Sequence, residues 1–236
     1  MPTIALETGM KRKLVLIRHG DGPSDDRVVN WASLNEIEIE VFKPFKGEVI
    51  PDLHETMIGT VIYGGKYEAY AIKEFPFLKN EYSWIEKCLI SNTPMLGICQ
   101  GAQQIAHHLG AKVGPVDNSI GEFGYYQINP TKDANEFLKS SLHVAQAHYH
   151  TFDIPKDAVK LAGSELFSNQ AFKVQQNVYG LQFHAEVTIE GFRRWQNSGW
   201  SSRLGHQTIE EQTRLMHKHD AAQASWFYDF LNNLFL

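Results

Sequence analysis

The feature that most constrains the fold is the run Leu14-Val15-Leu16-Ile17, apolar at every position. A strand with one wet face would alternate, so an unbroken run predicts a strand buried on both faces of a parallel sheet. Met57 to Tyr63 is again apolar and β-branched and ends at Gly64-Gly65. Ile37-Glu38-Ile39-Glu40-Val41 alternates apolar with acidic and reads as a more exposed strand. Helical spacing (Leu78, Tyr82, Ile85, Leu89) spans Phe77 to Ile90, and Asn92-Thr93-Pro94 stops it. Pro94 to Cys99 follows as a strand, then Gln100 to Leu109 as a helix stopped at Gly110. Strand, helix, strand, helix predicts an α/β fold with a doubly wound, mostly parallel sheet.

From Gly124 onward the pattern changes to short strand candidates: Tyr125–Ile128, Leu142–Ala147, Val159–Gly163, Gln170–Val174 and Val178–Phe183. These are expected as additional antiparallel strands at one side of the sheet. Thr208 to Leu236 reads as a helix, with Ile209, Leu215, Trp226, Phe227, Phe230, Leu231 and Leu234 as its apolar positions. It is expected to pack back on the core. No repeat or linker interrupts residues 1–236, so one domain is expected.

The chain of 236 residues is 43% hydrophobic and 21% charged, with a net charge of −5. Its longest basic run is Lys11-Arg12-Lys13. Binding a nucleic-acid backbone needs a basic face, so nucleic acid is excluded as the main partner. Cys88 and Cys99 are the only cysteines and do not read as a disulfide framework, which favours a reducing compartment. The first ten residues lack a basic stretch followed by an apolar one, and no segment approaches membrane-span length. A cytoplasmic protein with no membrane partner is expected.

Gly97-Ile98-Cys99-Gln100-Gly101 lies where a strand feeds directly into a helix. Flanking glycines permit a tight turn that exposes the apical side chain above the sheet edge. The N-terminus of the following helix favours a thiolate, and its free N–H groups can bind an oxyanion. On these residues alone, a small buried cysteine at a strand end fits equally well. Downstream, Gly180-Leu181-Gln182-Phe183-His184-Ala185-Glu186 places His184 and Glu186 two apart, on one side of an extended chain. A carboxylate orienting an imidazole is what a thiol nucleophile needs, although an exposed pair is the default for His-x-Glu by itself.

Gly97 to Gln103, the Gly180 to Glu186 stretch and Gly64-Gly65, taken in that arrangement, resemble the class I (triad) glutamine amidotransferases. Within them, the chain is most similar to stand-alone proteins like the amidotransferase domain of GMP synthase. The likeness runs from about Leu14 to about Trp195. It implies a three-layer α/β/α, flavodoxin-like fold. It also implies that Cys99 is the nucleophile, His184 its base and then acid, and Glu186 the group that orients His184. The N–H groups of Gly65 and Gln100 would form the oxyanion hole. Gly64, Gln103, Tyr149 and His150 match positions that contact the substrate, and Glu122-Phe123-Gly124-Tyr125 matches a structural segment.

Three positions depart from the family pattern. Lys66 stands where a proline usually follows the two glycines, Ala147-His148-Tyr149-His150 replaces a Trp-His before a Gly-Asp-like pair, and Ala185 replaces a proline. None is one of the three reacting residues, so the expectation of hydrolysis stands. The first two bear on the shape of the substrate pocket.

Other motifs carry rival readings. Arg18-His19-Gly20 resembles the first-strand motif of the histidine phosphatases, but the acidic stretch that follows, Asp21 to Asp26, would repel a phosphate. Arg18 and His19 are expected only to cap the first strand. The eleven histidines, especially His107, His108, His143, His148 and His150, lack the spacing of converging ligands, so no metal is expected. Cys88 reads as core. No phosphate-binding glycine loop of the Walker type occurs, and no cofactor is implied.

The functional expectation is hydrolysis of the γ-amide of glutamine, with the ammonia passed to a synthetase partner in trans. The alternatives are a free-standing γ-glutamyl peptidase or hydrolase and a non-catalytic regulatory protein.

Overall fold

The computed structural model describes residues 11–116, 120–198 and 203–236. The expectation about the first ten residues lies outside them. Among the described residues, no helix is long and apolar enough to cross a membrane.

Strands β1 (Lys13–Ile17), β2 (Glu38–Phe42), β3 (Met57–Ile62), β4 (Met95–Ile98), β5 (Val113–Pro115), β6 (Glu122–Pro130), β7 (Leu142–His148), β8 (His150–Phe152), β9 (Val159–Gly163), β10 (Ala171–Val174) and β11 (Val178–Leu181) are joined by helices α1 (Arg27–Leu34), α2 (Leu78–Ile90), α3 (Gln100–His108), α4 (Ile189–Gln196) and α5 (Ile209–Phe235). Among the described residues nine strands form one sheet in the order β2-β1-β3-β4-β11-β10-β9-β6-β7, and β5 pairs with β8 separately. The first five are mutually parallel. The remaining neighbours pair antiparallel.

Helices on both faces make the three layers. Leu14 and Leu16 face one side with Val28, Trp31, Phe227 and Leu231 of α1 and α5. Val15 and Ile17 face the other with Trp84, Ile85, Ala102 and Ile105 of α2 and α3. The side chains of Leu14, Val15, Leu16 and Ile17 are all fully buried. Each contributes about 1.5–3 kcal/mol by leaving water, which explains why β1 carries no polar residue between Leu14 and Ile17.

Several features differ from the sequence expectation, beginning with the pair β5 and β8, which no strand candidate anticipated. Val178–Phe183 was expected antiparallel, but the strand it contains, β11, runs parallel to β4 and completes the parallel half of the sheet. Helix α1 was unforeseen because Val28 and Val29 are weak helix formers. The Asp26 carboxylate caps it, accepting from the N–H groups of Val28 and Val29, and burial of Val28, Trp31 and Ala32 outweighs the propensity cost. Helix α4 was also unforeseen and begins at Thr188, whose hydroxyl accepts from the N–H of Gly191.

The chain reverses its winding between β1 and β3, the order of a flavodoxin-like sheet, and ligands bind beyond the carboxyl ends of the strands at such a switch point. The segments leaving β1, β3, β4 and β11 converge there.

Candidate active site

Cys99 joins β4 to α3 in a conformation with φ 50 and ψ −107, outside the regions that side chains ordinarily adopt. The flanking glycines serve a different purpose from the one expected. Neither has positive φ. They are needed because the elbow packs tightly: a Cβ on Gly101 would lie 2.0 Å from the Ile62 carbonyl oxygen, and one on Gly97 would lie 2.7 Å from the Ala102 nitrogen. The strain itself sits on Cys99, held by its N–H to Leu181 O (2.7 Å) and by Gln103 N–H to its carbonyl (3.0 Å).

Because β4 and β11 pair in register through Ile98 and Leu181, the chain leaving β11 emerges beside Cys99. His184 donates its backbone N–H to Ala145 O at 2.8 Å. Its ring Nδ1 lies 2.7 Å from Glu186 Oε1, with both side chains buried. Burial disfavours the imidazolium, yet the charges of Glu186 and Cys99 outweigh it and raise the His184 pKa to about 10. The ring packs edge-on against Trp195 of α4, with centroids 4.8 Å apart. A thiol facing an imidazole that is itself bonded to a carboxylate can transfer its proton and become nucleophilic.

Gly64 and Gly65 come next to this pair. A Cβ on Gly64 would lie 2.9 Å from His184 Cε1 and 3.2 Å from Cys99 Cβ. Gly65 is equally confined, its ideal Cβ 2.4 Å from His19 Cβ. Gln100 turns its side chain inward, where Oε1 accepts from the Tyr67 N–H at 2.9 Å. Its own N–H belongs to the first turn of α3, whose N–H groups have no acceptor within the helix.

Cys99, His184, Glu186, Gly64, Gly65, Gln103, Tyr149 and His150 all line one cavity of about 620 Å³; Gln100 does not. Gln103 is tied by its amide to Gln182 (3.1 Å). Tyr149 sits between β7 and β8, with Arg203 stacked 4.0 Å over its ring. The carbonyl of His150 accepts from His148 Nδ1 (2.9 Å), and His148 Nε2 is 3.0 Å from Glu122. Ser164 and Gln170 also donate to Glu122, so this buried carboxylate anchors the Tyr149–His150 corner. Among the described residues, no group of three or more His, Cys, Asp or Glu is placed to hold a metal.

Several residues at the site escaped the sequence reading. Arg18 and His19 do not merely cap β1: both line the cavity wall, and His19 is buried against Glu81. Arg27 holds the segment carrying Glu186. Its backbone N–H donates to Glu186 O (2.8 Å), and its guanidinium reaches Ala185 O, Val187 O and the buried Asp220 of α5. The capping residues Asp26 and Thr188 were the available signals for α1 and α4, and hence for Arg27 and Trp195.

The family model for glutamine amidotransferase class-I matches residues 32–195. A GMP synthase (glutamine-hydrolyzing) from Porphyromonas gingivalis is 31% identical over 134 residues, 55% of this chain and 25% of that protein. A gamma-glutamyl-CDP-amidate hydrolase from Campylobacter jejuni is 34% identical over 106 residues, 43% of this chain and 47% of that protein. The chain therefore spans a quarter to a half of the length of these relatives. The crystal structure of a glutamine amidotransferase from Thermotoga maritima superposes with a TM-score of 0.83 at 26% identity, covering 96% of this chain and 99% of that one. The elbow, the sheet order and these matches agree: the chain belongs to the class I glutamine amidotransferase family.

Proposed function

We propose that the chain hydrolyses a γ-glutamyl amide through a thioester on Cys99. One observation carries the reading: a strained cysteine at a strand–helix junction faces a buried histidine bonded to a carboxylate. In this reading the Cys99 thiolate attacks the γ-carbonyl carbon. The N–H groups of Gly65 and Gln100 hold the oxyanion. His184, kept with Nδ1–H toward Glu186, gives its Nε2 proton to the leaving nitrogen as the C–N bond breaks. Water then attacks the thioester, its proton passing to His184, and the C–S bond breaks to release glutamate. Gln103, Gly64 and the Tyr149–His150 backbone hold the amino-acid end.

With free glutamine the leaving group is ammonia, to be used by a synthetase partner in trans. A second reading is favoured by the cavity itself. At about 620 Å³ it falls within the roughly 300–1,000 Å³ that hold drug-sized ligands, which suits a γ-glutamyl amide bearing a substituent on nitrogen. Glutamate release should be measured from glutamine and from a series of N-substituted γ-glutamyl amides, with wild type and Cys99→Ala. Turnover that vanishes in Cys99→Ala supports hydrolysis, and a higher kcat/KM for substituted amides selects the second reading. No turnover of any substrate, with no covalent labelling of Cys99 by a glutamine-analogue electrophile, refutes both and leaves a non-catalytic regulatory role.

A further inference from the structure

The pair His19 and Glu81 is wholly buried, both side chains at 0% exposure, and the mechanism above makes no use of it. A buried ion pair is poor evidence for stability, because apolar residues of the same shape often serve as well. Its contacts indicate a different purpose. His19 Nδ1 lies 3.0 Å from the carbonyl oxygen of Tyr63, the residue before Gly64-Gly65. A carbonyl only accepts, so Nδ1 carries a proton. Nε2 lies 3.0 Å from Glu81 Oε2, and one further proton is shared between those two atoms. Gln104 of α3 donates to the same carboxylate oxygen. With both nitrogens engaged, the ring cannot turn without losing both partners.

The ring also forms the floor of the glycine turn. An added Cβ on Gly65 would lie 2.4 Å from His19 Cβ and 3.0 Å from its Cγ, so the turn cannot settle further inward. Tyr63 is held a second way: its hydroxyl donates to Asp26 (2.9 Å), and the Arg18 guanidinium lies 4.3 Å over its ring. A continuous chain of hydrogen bonds, Tyr63 O to His19 to Glu81 to Gln104, thus joins the glycine turn to the helix that starts after Cys99.

We propose that His19 is a positioning residue that aims the Gly65 N–H at the developing oxyanion: through the Tyr63 carbonyl it fixes the Tyr63–Gly64 peptide, from which Gly65 continues, and it packs directly beneath Gly65. The inference rests on the reading of Gly65 as an oxyanion donor.

Two near-isosteric variants separate the two contacts. The amide nitrogen of His19→Asn reaches the Nδ1 position and keeps the bond to Tyr63, whereas that of His19→Gln reaches the Nε2 position and keeps only Glu81. Losing an oxyanion donor costs about 10²–10³ in kcat, and misdirecting one should cost about 10–10². His19→Gln is therefore expected to lower kcat by that amount with KM within about twofold, while His19→Asn retains kcat within about threefold. Alkylation of Cys99 by iodoacetamide is a displacement at saturated carbon that develops no oxyanion, so its rate should match wild type in both variants.

Wild-type kcat in His19→Gln, equal losses in the two variants, or alkylation falling in step with kcat would each overturn the proposal. If His19→Gln does not fold, the double variant His19→Leu/Glu81→Leu, which leaves no unpaired buried charge, serves in its place: the same kcat loss is expected, and wild-type kcat refutes. A wild-type protein without turnover refutes the functional reading and this inference together. Turnover indifferent to residue 19 refutes this inference alone.

Discussion

Removing the guanidinium of Arg27 should cost more than any surface ion pair in the molecule. Two nitrogen–oxygen contacts of 2.7 Å join Arg27 to both carboxylate oxygens of Asp220, with side chains 5% and 11% exposed. The same guanidinium donates to Ala185 O and Val187 O, and Asp220 accepts a further bond from the Tyr125 hydroxyl at 2.9 Å. Arg27→Met keeps the aliphatic stem but leaves a buried carboxylate with one donor and two carbonyls with none. Breaking such a pair from one side costs about 3–5 kcal/mol. A domain of this kind has about 5–15 kcal/mol in all. At about 2–4 °C per kcal/mol, the melting temperature should fall by about 6–20 °C. Urea and thermal unfolding of Arg27→Met, Asp220→Leu and the double variant close the cycle. The double variant should be more stable than Arg27→Met, because no charge is stranded. Since Glu186 lies between the two gripped carbonyls, glutamate release should drop further than the folded fraction does. A cost below about 1 kcal/mol for Arg27→Met, or a double variant equal to the sum of the singles, would refute the reasoning.

Gly64→Ala places a methyl group 2.9 Å from His184 Cε1 and 3.2 Å from Cys99 Cβ, so kcat should fall about 10²-fold while the urea midpoint barely moves. The His184 imidazolium, disfavoured by burial but held by Glu186 and Cys99 to a pKa of about 10, lies above its unfolded value near 6.5. Its stabilisation is complete below about pH 6.5 and is lost as pH rises through about 10, so wild-type unfolding free energy should decline across that interval, and Glu186→Gln should flatten the decline. Burial raises the Cys88 thiol to about 12, with Lys87 only partly opposing. Iodoacetamide at pH 8 should therefore modify Cys99 alone in the native protein and both cysteines in urea, as read by peptide mass spectrometry.

The sequence by itself was sufficient where a local pattern has one physical solution. The Leu14–Ile17 run can be satisfied only between two apolar layers, and β1 lies between α1 and α5 on one side and α2 and α3 on the other. The stop at Asn92-Thr93-Pro94 and the elbow at Cys99 set the ends of α2 and the start of α3 to within a residue or two. At Gly64-Gly65, Cys99, His184 and Glu186 the local pattern left two solutions, and it was the resemblance of the three motifs taken together that named residues lining the cavity.

Tertiary structure decided everything that depends on a partner distant in sequence. The direction of β11 is set by its bonding to β4, which no residue in Val178–Leu181 encodes. The unusual backbone falls on Cys99 rather than on its glycines, and residue 101 is glycine because the distant Ile62 carbonyl leaves no room there for a side chain. Arg18 and His19 read as a strand cap until Tyr63, Asp26 and Glu81 surround them. Arg27 and Asp220 are 193 residues apart, and only packing of α5 against α1 makes them a pair. Apolar periodicity is a property of a segment and survives in the sequence. Strand direction, strain and buried pairing are properties of contacts, which exist only once the chain has closed on itself.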